Sequence, residues 1–184
     1  YIEVLAPFRG RADTIDAIEA RVQTMSDAIV GNRNAHIYAP RNIEELQYSL
    51  PVQMALSVLG KGNGYKTHRE FLDGKLALDP DSAVLRMARR IQLLVSHELD
   101  ERYPRTFVSD VTIRFKDGRS EHVFLDQVTG RPDKPFTLSE HQAKLDELTI
   151  DTLGREKAAR LFELLDEFRP DRPVHDLTAF LRCH

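Results

Sequence analysis

Phe115-Lys116-Asp117-Gly118-Arg119, then Gly130-Arg131-Pro132-Asp133-Lys134-Pro135, then Thr137-Leu138-Ser139-Glu140 is the run that decides the fold. Asp117-Gly118 tolerates positive φ angles, so a two-residue hairpin turn is predicted there. Before it, Phe107, Val111, Ile113 and Phe115 face one way and Asp110, Thr112 and Arg114 the other, the alternation of a half-buried antiparallel strand. Glu121 to Gln127 form its return partner. Two prolines stiffen the exit, and Thr137-x-x-Glu140 can close a capping box in which each side chain satisfies an orphan backbone N–H.

Downstream of that turn everything reads as helix: 138 to 149, 155 to 168 with Ala158, Leu161, Phe162, Leu165 and Phe168 on one face, and a last piece near 174 to 182. Upstream, Ile15, Ile18, Val22, Met25 and Ile29 recur at the spacing of a one-faced helix over 13 to 29, with Asp13 or Thr14 as its cap. Ala35 to Ala39 reads as a short strand closed by Pro40. Pro51 is comfortable only in a first turn, so Ser49 is predicted to cap a helix over 50 to 60, with Glu44 to Tyr48 a separate turn. Gly60, Gly62 and Gly64 follow a helix rather than a strand, which favours a helix end and turn over a phosphate cradle. Asp79-Pro80-Asp81 opens a short helix through Val84, Leu85 and Ala88. Ile91 to His97 is an apolar run suited to a buried strand. The order α-β-α-α-β-β-β-α-α-α predicts an α+β fold: a small, mostly antiparallel sheet with helices on one side, over residues 1–136, followed by a helical segment over 137–184.

The 184 residues are 41% hydrophobic and 30% charged, enough to bury a real core without staples. A net charge of −3 lacks the basic footprint of a nucleic-acid binder, and no apolar run approaches the ~18 residues of a membrane span. The lone cysteine, Cys183, makes no internal disulfide, and a cytoplasmic setting is the expectation. The chain opens at Tyr1 rather than methionine, so a portion of a longer protein is expected.

Chemistry is sparse. Seven histidines, at 36, 68, 97, 122, 141, 175 and 184, include no His-x-x-x-His or His-Glu-x-x-His pair, and no metal site is predicted. His122 and His141 read as solvated. His97 is either a satisfied strand-end residue or a tuned acid–base group. Ser49 and Ser96 lack the glycines of a nucleophile elbow, and Cys183 lies too near the end to count on a fixed base. The runs Arg86-Met87-Ala88-Arg89-Arg90 and Asp166-Glu167 read as solvated helix faces. Arg9 and Arg11 flank Gly10 just before the first predicted helix, where guanidinium groups beside a helix N-terminus would bind a carboxylate-rich substrate; the alternative is a solvated pair. No catalytic residue is identifiable.

Tyr48-Ser49-Leu50-Pro51 with Ala55-Leu56 and Gly60, then Glu98-Leu99-Asp100 with Tyr103-Pro104, Asp117-Gly118-Arg119, and Gly130-x-Pro132-x-x-Pro135 with Lys144 together resemble the C-terminal portion of the MmgE/PrpD family. The likeness runs over roughly residues 3 to 170. That family includes 2-methylcitrate dehydratase, cis-aconitate decarboxylase and an iminodisuccinate epimerase. The resemblance implies a two-domain, homodimeric lyase whose helical N-terminal domain is capped by an α+β lid, here 1–136, with helices 137–184 returning to that domain. It implies a small di- or tricarboxylate bound in the cleft, no metal and no organic cofactor, and removal of a proton alpha to a carboxylate followed by loss of water or carbon dioxide. An epimerase on an imino- or amino-dicarboxylate, or a silent dimerisation or ligand-binding module, are the alternatives. Better-known members place a lysine and histidines in the first lid segment, where this chain has Glu3 and Phe8 or Ala12. A tyrosine that often follows the Ser-x-Pro element is Val52. Arg9 and Arg11 are then the replacement candidates for anion binding.

Overall fold

The structure, a computed structural model, describes residues 1–169, 171 and 173–179. It divides into two compact units, one of Tyr1–Lys134 and one opening at Pro135. In the first, α1 (Ile2–Leu5) and a 3-10 turn (Ala6–Phe8) lead into β1 (Ile15–Val22), followed by α2 (Thr24–Val30), α3 (Ile43–Gln47), α4 (Leu50–Val58), α5 (Tyr65–Leu72) and α6 (Ala83–Ala88). Then come β2 (Ile91–Val95), α7 (His97–Asp100), β3 (Ser109–Phe115) and β4 (Ser120–Leu125). The second unit holds α8 (Leu138–Leu153), α9 (Arg155–Asp166) and α10 (His175–Thr178).

The fold is α+β, with a four-stranded mixed sheet in the order β2-β1-β3-β4. β1 pairs antiparallel with β3, and β3 with β4, while β1 and β2 run parallel. A parallel neighbour needs a long crossover, and here α2 to α6 supply it. One face of the sheet packs Ile18, Ala20, Val22, Ile91, Leu93, Val111 and Ile113 against Val4, Leu5, Met54, Leu56 and Leu85 of α1, α4 and α6.

The predicted helix over 13 to 29 is instead a strand and a separate short helix. A register shift between Ile15 and Ala17 places Ile15 and Ile18 on the same face despite their spacing of three, after which Ala20 and Val22 alternate normally. One bulge thus made a β-branched strand imitate a helical period. Met25 and Ile29, read as continuing that face, are 45% and 48% exposed. Residues 35 to 39 form turns rather than a strand, closed by Ala39 N–H donating to His36 O at 3.0 Å. β2 ends at Val95, and Leu94 and Val95 are exposed, because β2 is an edge strand. His97 therefore begins α7 and does not close a strand.

The hairpin has a three-residue loop, not two. Phe115 N–H donates to Arg119 O at 2.9 Å and Gly118 N–H to Phe115 O at 3.0 Å, with Gly118 at φ +86°. That is a turn followed by a left-handed glycine, the next commonest solution for antiparallel strands. Phe107, read as facing the core, lies outside β3, is exposed, and packs edge-on against Tyr103 at 5.4 Å.

Local signals held where partners are close in sequence. The Ser49 hydroxyl accepts from Val52 N–H at 3.2 Å and donates to Ile37 O, capping α4 with Pro51 in its first turn. The α4 end is closed by Lys61 N–H donating to Leu56 O at 3.0 Å, with Gly60 at φ +72°. Both bonds of the Thr137–Glu140 capping box are present, and α8 extends to Leu153 before Gly154 breaks it at φ +77°. The predicted last helix ends, in the described residues, at Thr178; its remainder and Cys183 lie outside them. Among the described residues no helix is long and apolar enough to cross a membrane.

Candidate functional site

The first segment of the chain is where an anion site is expected, and its side chains are already committed. Phe8 is 2% exposed and stacks at 6.2 Å from Phe115; Val52 is fully buried in α4, and Ala12 packs against the core. Three positions expected to carry imidazole or phenol groups are thus parts of the apolar interior. Glu3 is occupied differently. Lys134 Nζ lies 2.7 Å from Glu3 Oε1, Thr129 Oγ1 donates to the same oxygen at 2.8 Å, and Thr129 N–H donates to Oε2 at 3.0 Å. The lysine first, and then the threonine, hold the Glu3 carboxyl down to about 2. A carboxylate so stabilised is a poor proton acceptor at neutral pH.

Arg9 and Arg11 flank Gly10, whose φ of +74° turns the chain, and Gly10 N–H donates to Val58 O at 2.8 Å. The element beyond them is β1, so the helix N-terminus expected beside them does not exist. Arg9 is exposed. Arg11 is half-buried, its guanidinium 5.5 Å from the Phe8 ring centroid and 5.3 Å from that of Phe115. Arg119 reaches the same Phe115 ring at 5.6 Å, and its charge is paired with Asp117 at 2.9 Å. Neither Arg9 nor Arg11 has a carboxylate partner among the described residues. Cation–π contacts of this kind orient a guanidinium without neutralising it, so Arg11 is the better preorganised of the two.

A second polar cluster lies on the sheet face opposite the core. Asp110 of β3, with its side chain 4% exposed, receives Arg21 Nη1 at 3.0 Å and His122 Nε2 at 2.8 Å. Arg21 also donates to Ser96 Oγ and Glu98 Oε2, each at 2.8 Å, and Glu98 is the main reason its guanidinium holds its proton more tightly. His122 is therefore bound to a buried carboxylate rather than simply solvated. The hairpin register, which sets Thr112 opposite His122, could have revealed that diagonal pair; Arg21 was hidden by the helical reading of its strand. Nearby, Asp100 accepts from Thr24 N–H at 2.7 Å and Thr24 Oγ1 at 2.6 Å, and these bonds, with a weaker one from His97 at 3.2 Å, lower its pKa. His97 thus leans on a carboxylate from the exposed side; Thr24 Oγ1 lies 3.4 Å from its Nδ1, but that hydroxyl gives its proton to Asp100.

The third cluster lines a cavity of about 320 Å³ bounded by Ile2, Leu50, Gln53, Asn63 and His68. His68 Nδ1 lies 2.8 Å from Gly64 O, which assigns the proton to that nitrogen and leaves Nε2 to accept from Gln53 Nε2 at 3.2 Å. Asn63 Nδ2 donates to Gln53 O and Oε1, and its own buried Oδ1 has no hydrogen-bond partner. Both nitrogens of His68 are engaged, so it is held as a structural group. Among the described residues no three His, Cys, Asp or Glu side chains are grouped to hold a metal ion.

The geometry therefore offers cationic groups for an anion. A search of curated proteins finds no match. A family model described as the MmgE/PrpD C-terminal domain matches residues 2–168.

Proposed function

The chain belongs to the MmgE/PrpD family as its C-terminal domain, and from that premise we propose that it serves as the lid and returning helices of a lyase acting on a small di- or tricarboxylate. A base takes the proton alpha to a carboxylate, the C–H electron pair forms the new double bond, and the β-hydroxyl departs as water on receiving a proton from an acid. The base and acid come from an N-terminal helical domain of the same protein, and the protein works as a homodimer. The observation that carries this division of labour is the burial of Phe8 and Val52 and the neutralisation of Glu3 by Lys134, which leave the lid with shape and positive charge to contribute. Arg9 and Arg11 are the residues to meet a substrate carboxylate. Cations placed beside the carboxylate stabilise the negative charge that develops on it as the proton leaves.

The domain reading assigns 1–136 to the lid and 137–184 to helices that pack on the N-terminal domain. The second unit supports it. Its two long helices leave a groove of about 390 Å³ lined by Leu138, Leu145, Leu148, Phe162 and Leu165, with Leu138 60% and Leu165 46% exposed. An exposed apolar stripe bordered by polar groups such as Lys144 and Asp166 is the kind of surface that marks a protein contact.

The same burial of Phe8 and Val52 also favours a second reading, a silent ligand-binding relative. Incubating the full-length protein with candidate polycarboxylates in D₂O separates the outcomes. Deuterium at the alpha carbon with elimination means a lyase, and deuterium without elimination means an epimerase. Neither signal, with intact binding, means the silent module. Arg9→Ala and Arg11→Ala should weaken carboxylate binding; unchanged affinity in both removes them from the site.

A further inference from the structure

We infer that the cleft where β2 begins is a binding site for a small multivalent oxyanion, a polycarboxylate or a phosphate, independent of Arg9 and Arg11. It encloses about 400 Å³, within the range of small-molecule sites, and Arg89, Arg90, Arg114, Glu19, Gln92 and Tyr38 line it. Three guanidinium groups against one carboxylate leave an excess of two positive charges.

Arg89 and Arg90 lie beyond the end of α6, and each is drawn back by a backbone carbonyl. Arg89 Nη1 donates to Pro80 O at 2.7 Å and Arg90 Nη1 to Ile15 O at 3.0 Å. Arg114 arrives from β3 and Glu19 from β1, paired at 2.7 Å, and Gln92 from β2, so three neighbouring strands each contribute a side chain to the lining. Neither Arg89 nor Arg90 has a carboxylate partner among the described residues. A guanidinium carries five N–H donors, and one side-chain bond each among the described residues leaves the rest of both forks for a ligand. The planar fork matches carboxylate and phosphate oxygens in pairs, which is why the ligand class is an oxyanion rather than a neutral polar molecule. The charge excess favours a dianion or trianion.

This site does not depend on the lyase reading, and its test is binding rather than turnover. The full-length protein is titrated calorimetrically with inorganic phosphate and, separately, with tricarballylate, which has no hydroxyl to eliminate. Saturable binding of at least one is expected, weaker by about tenfold in Arg90→Gln and in Arg114→Gln, each of which removes a charge-assisted bond. Arg86→Gln, on α6 and outside the cleft, should bind as the parent does. Should Arg90→Gln fail to fold for want of its bond to Ile15, Arg114→Gln carries the test, because that side chain is 54% exposed. Which ligand saturates tells a phosphoryl from a carboxylate source. Absence of binding by the parent, equal affinity in Arg114→Gln, or loss confined to Arg9→Gln and Arg11→Gln overturns the inference.

Discussion

In the unit Tyr1–Lys134 the side chains of Leu5, Ile15, Ile18, Leu46, Met54 and Ile113 are withdrawn completely from solvent, whereas α8, sixteen residues long, has no buried residue at all. The first unit is held by its interior: helices over one sheet face, with ion pairs laid across the other. The second is held by its ends and by one side of each helix, through the capping box at Thr137, the break at Gly154, and Ala158 and Leu164 of α9 as its buried apolar side chains. The difference teaches where each unit's stability resides. A packed core resists local opening, while helices shorter than a few turns of good packing depend on caps and on what covers them.

The sharpest way to break that contrast is to hollow the sheet. Ile113→Ala should cost about 3 kcal/mol by urea unfolding, through lost burial and the cavity left behind. A cost near zero would mean the core is not packed as described. On the opposite sheet face, Arg21→Ala should cost about 2 kcal/mol, less than a fully buried pair because the arginine is itself partly exposed. Asp110→Ala in that background should recover part of the loss, since a buried carboxylate left with His122 as its one ring partner is then removed.

Effects in the second unit should be smaller. Thr137→Ala should remove about 1 kcal/mol from α8, seen as faster amide exchange in its first turn with the sheet unchanged. Leu148→Ala and Leu165→Ala, at 47% and 46% exposure, should each shift the unfolding of residues 1–184 by no more than about 0.5 kcal/mol. A markedly larger cost in the full-length protein would show that the rest of the polypeptide covers this face.

The last effect is read from the pH dependence of stability in acid. The Glu3 carboxyl sits at about 2 in the folded chain against an ordinary 4.5, so the stability it contributes is present above 4.5 and is lost as pH falls toward 2. Glu3→Gln should flatten that acid limb by lowering stability at neutral pH toward its acid value, with little change near pH 2. An unaltered slope between pH 4.5 and 2.5 would rule out the Lys134 pairing as its cause.

Features legible in the sequence were those whose partners lie a few residues apart. Ser49 over Pro51, Gly60 at a helix end, the Asp117-Gly118 reversal and the Thr137–Glu140 box are closed by short-range hydrogen bonds, and local chemistry suffices to specify them. The tertiary structure alone decided the rest. β1 is a strand because β2 and β3, some 70 to 100 residues away, supply its ladder, and the bulge that disguised it exists only within that pairing. Phe8 and Val52 lost any claim to a site by entering the core, and Arg89 and Arg90, exposed as read, line one cleft with Arg114 because β1, β2 and β3 pair. The physical reason is common to all three. Burial and charge convergence depend on which remote segments meet, and a short window of sequence carries no record of that meeting.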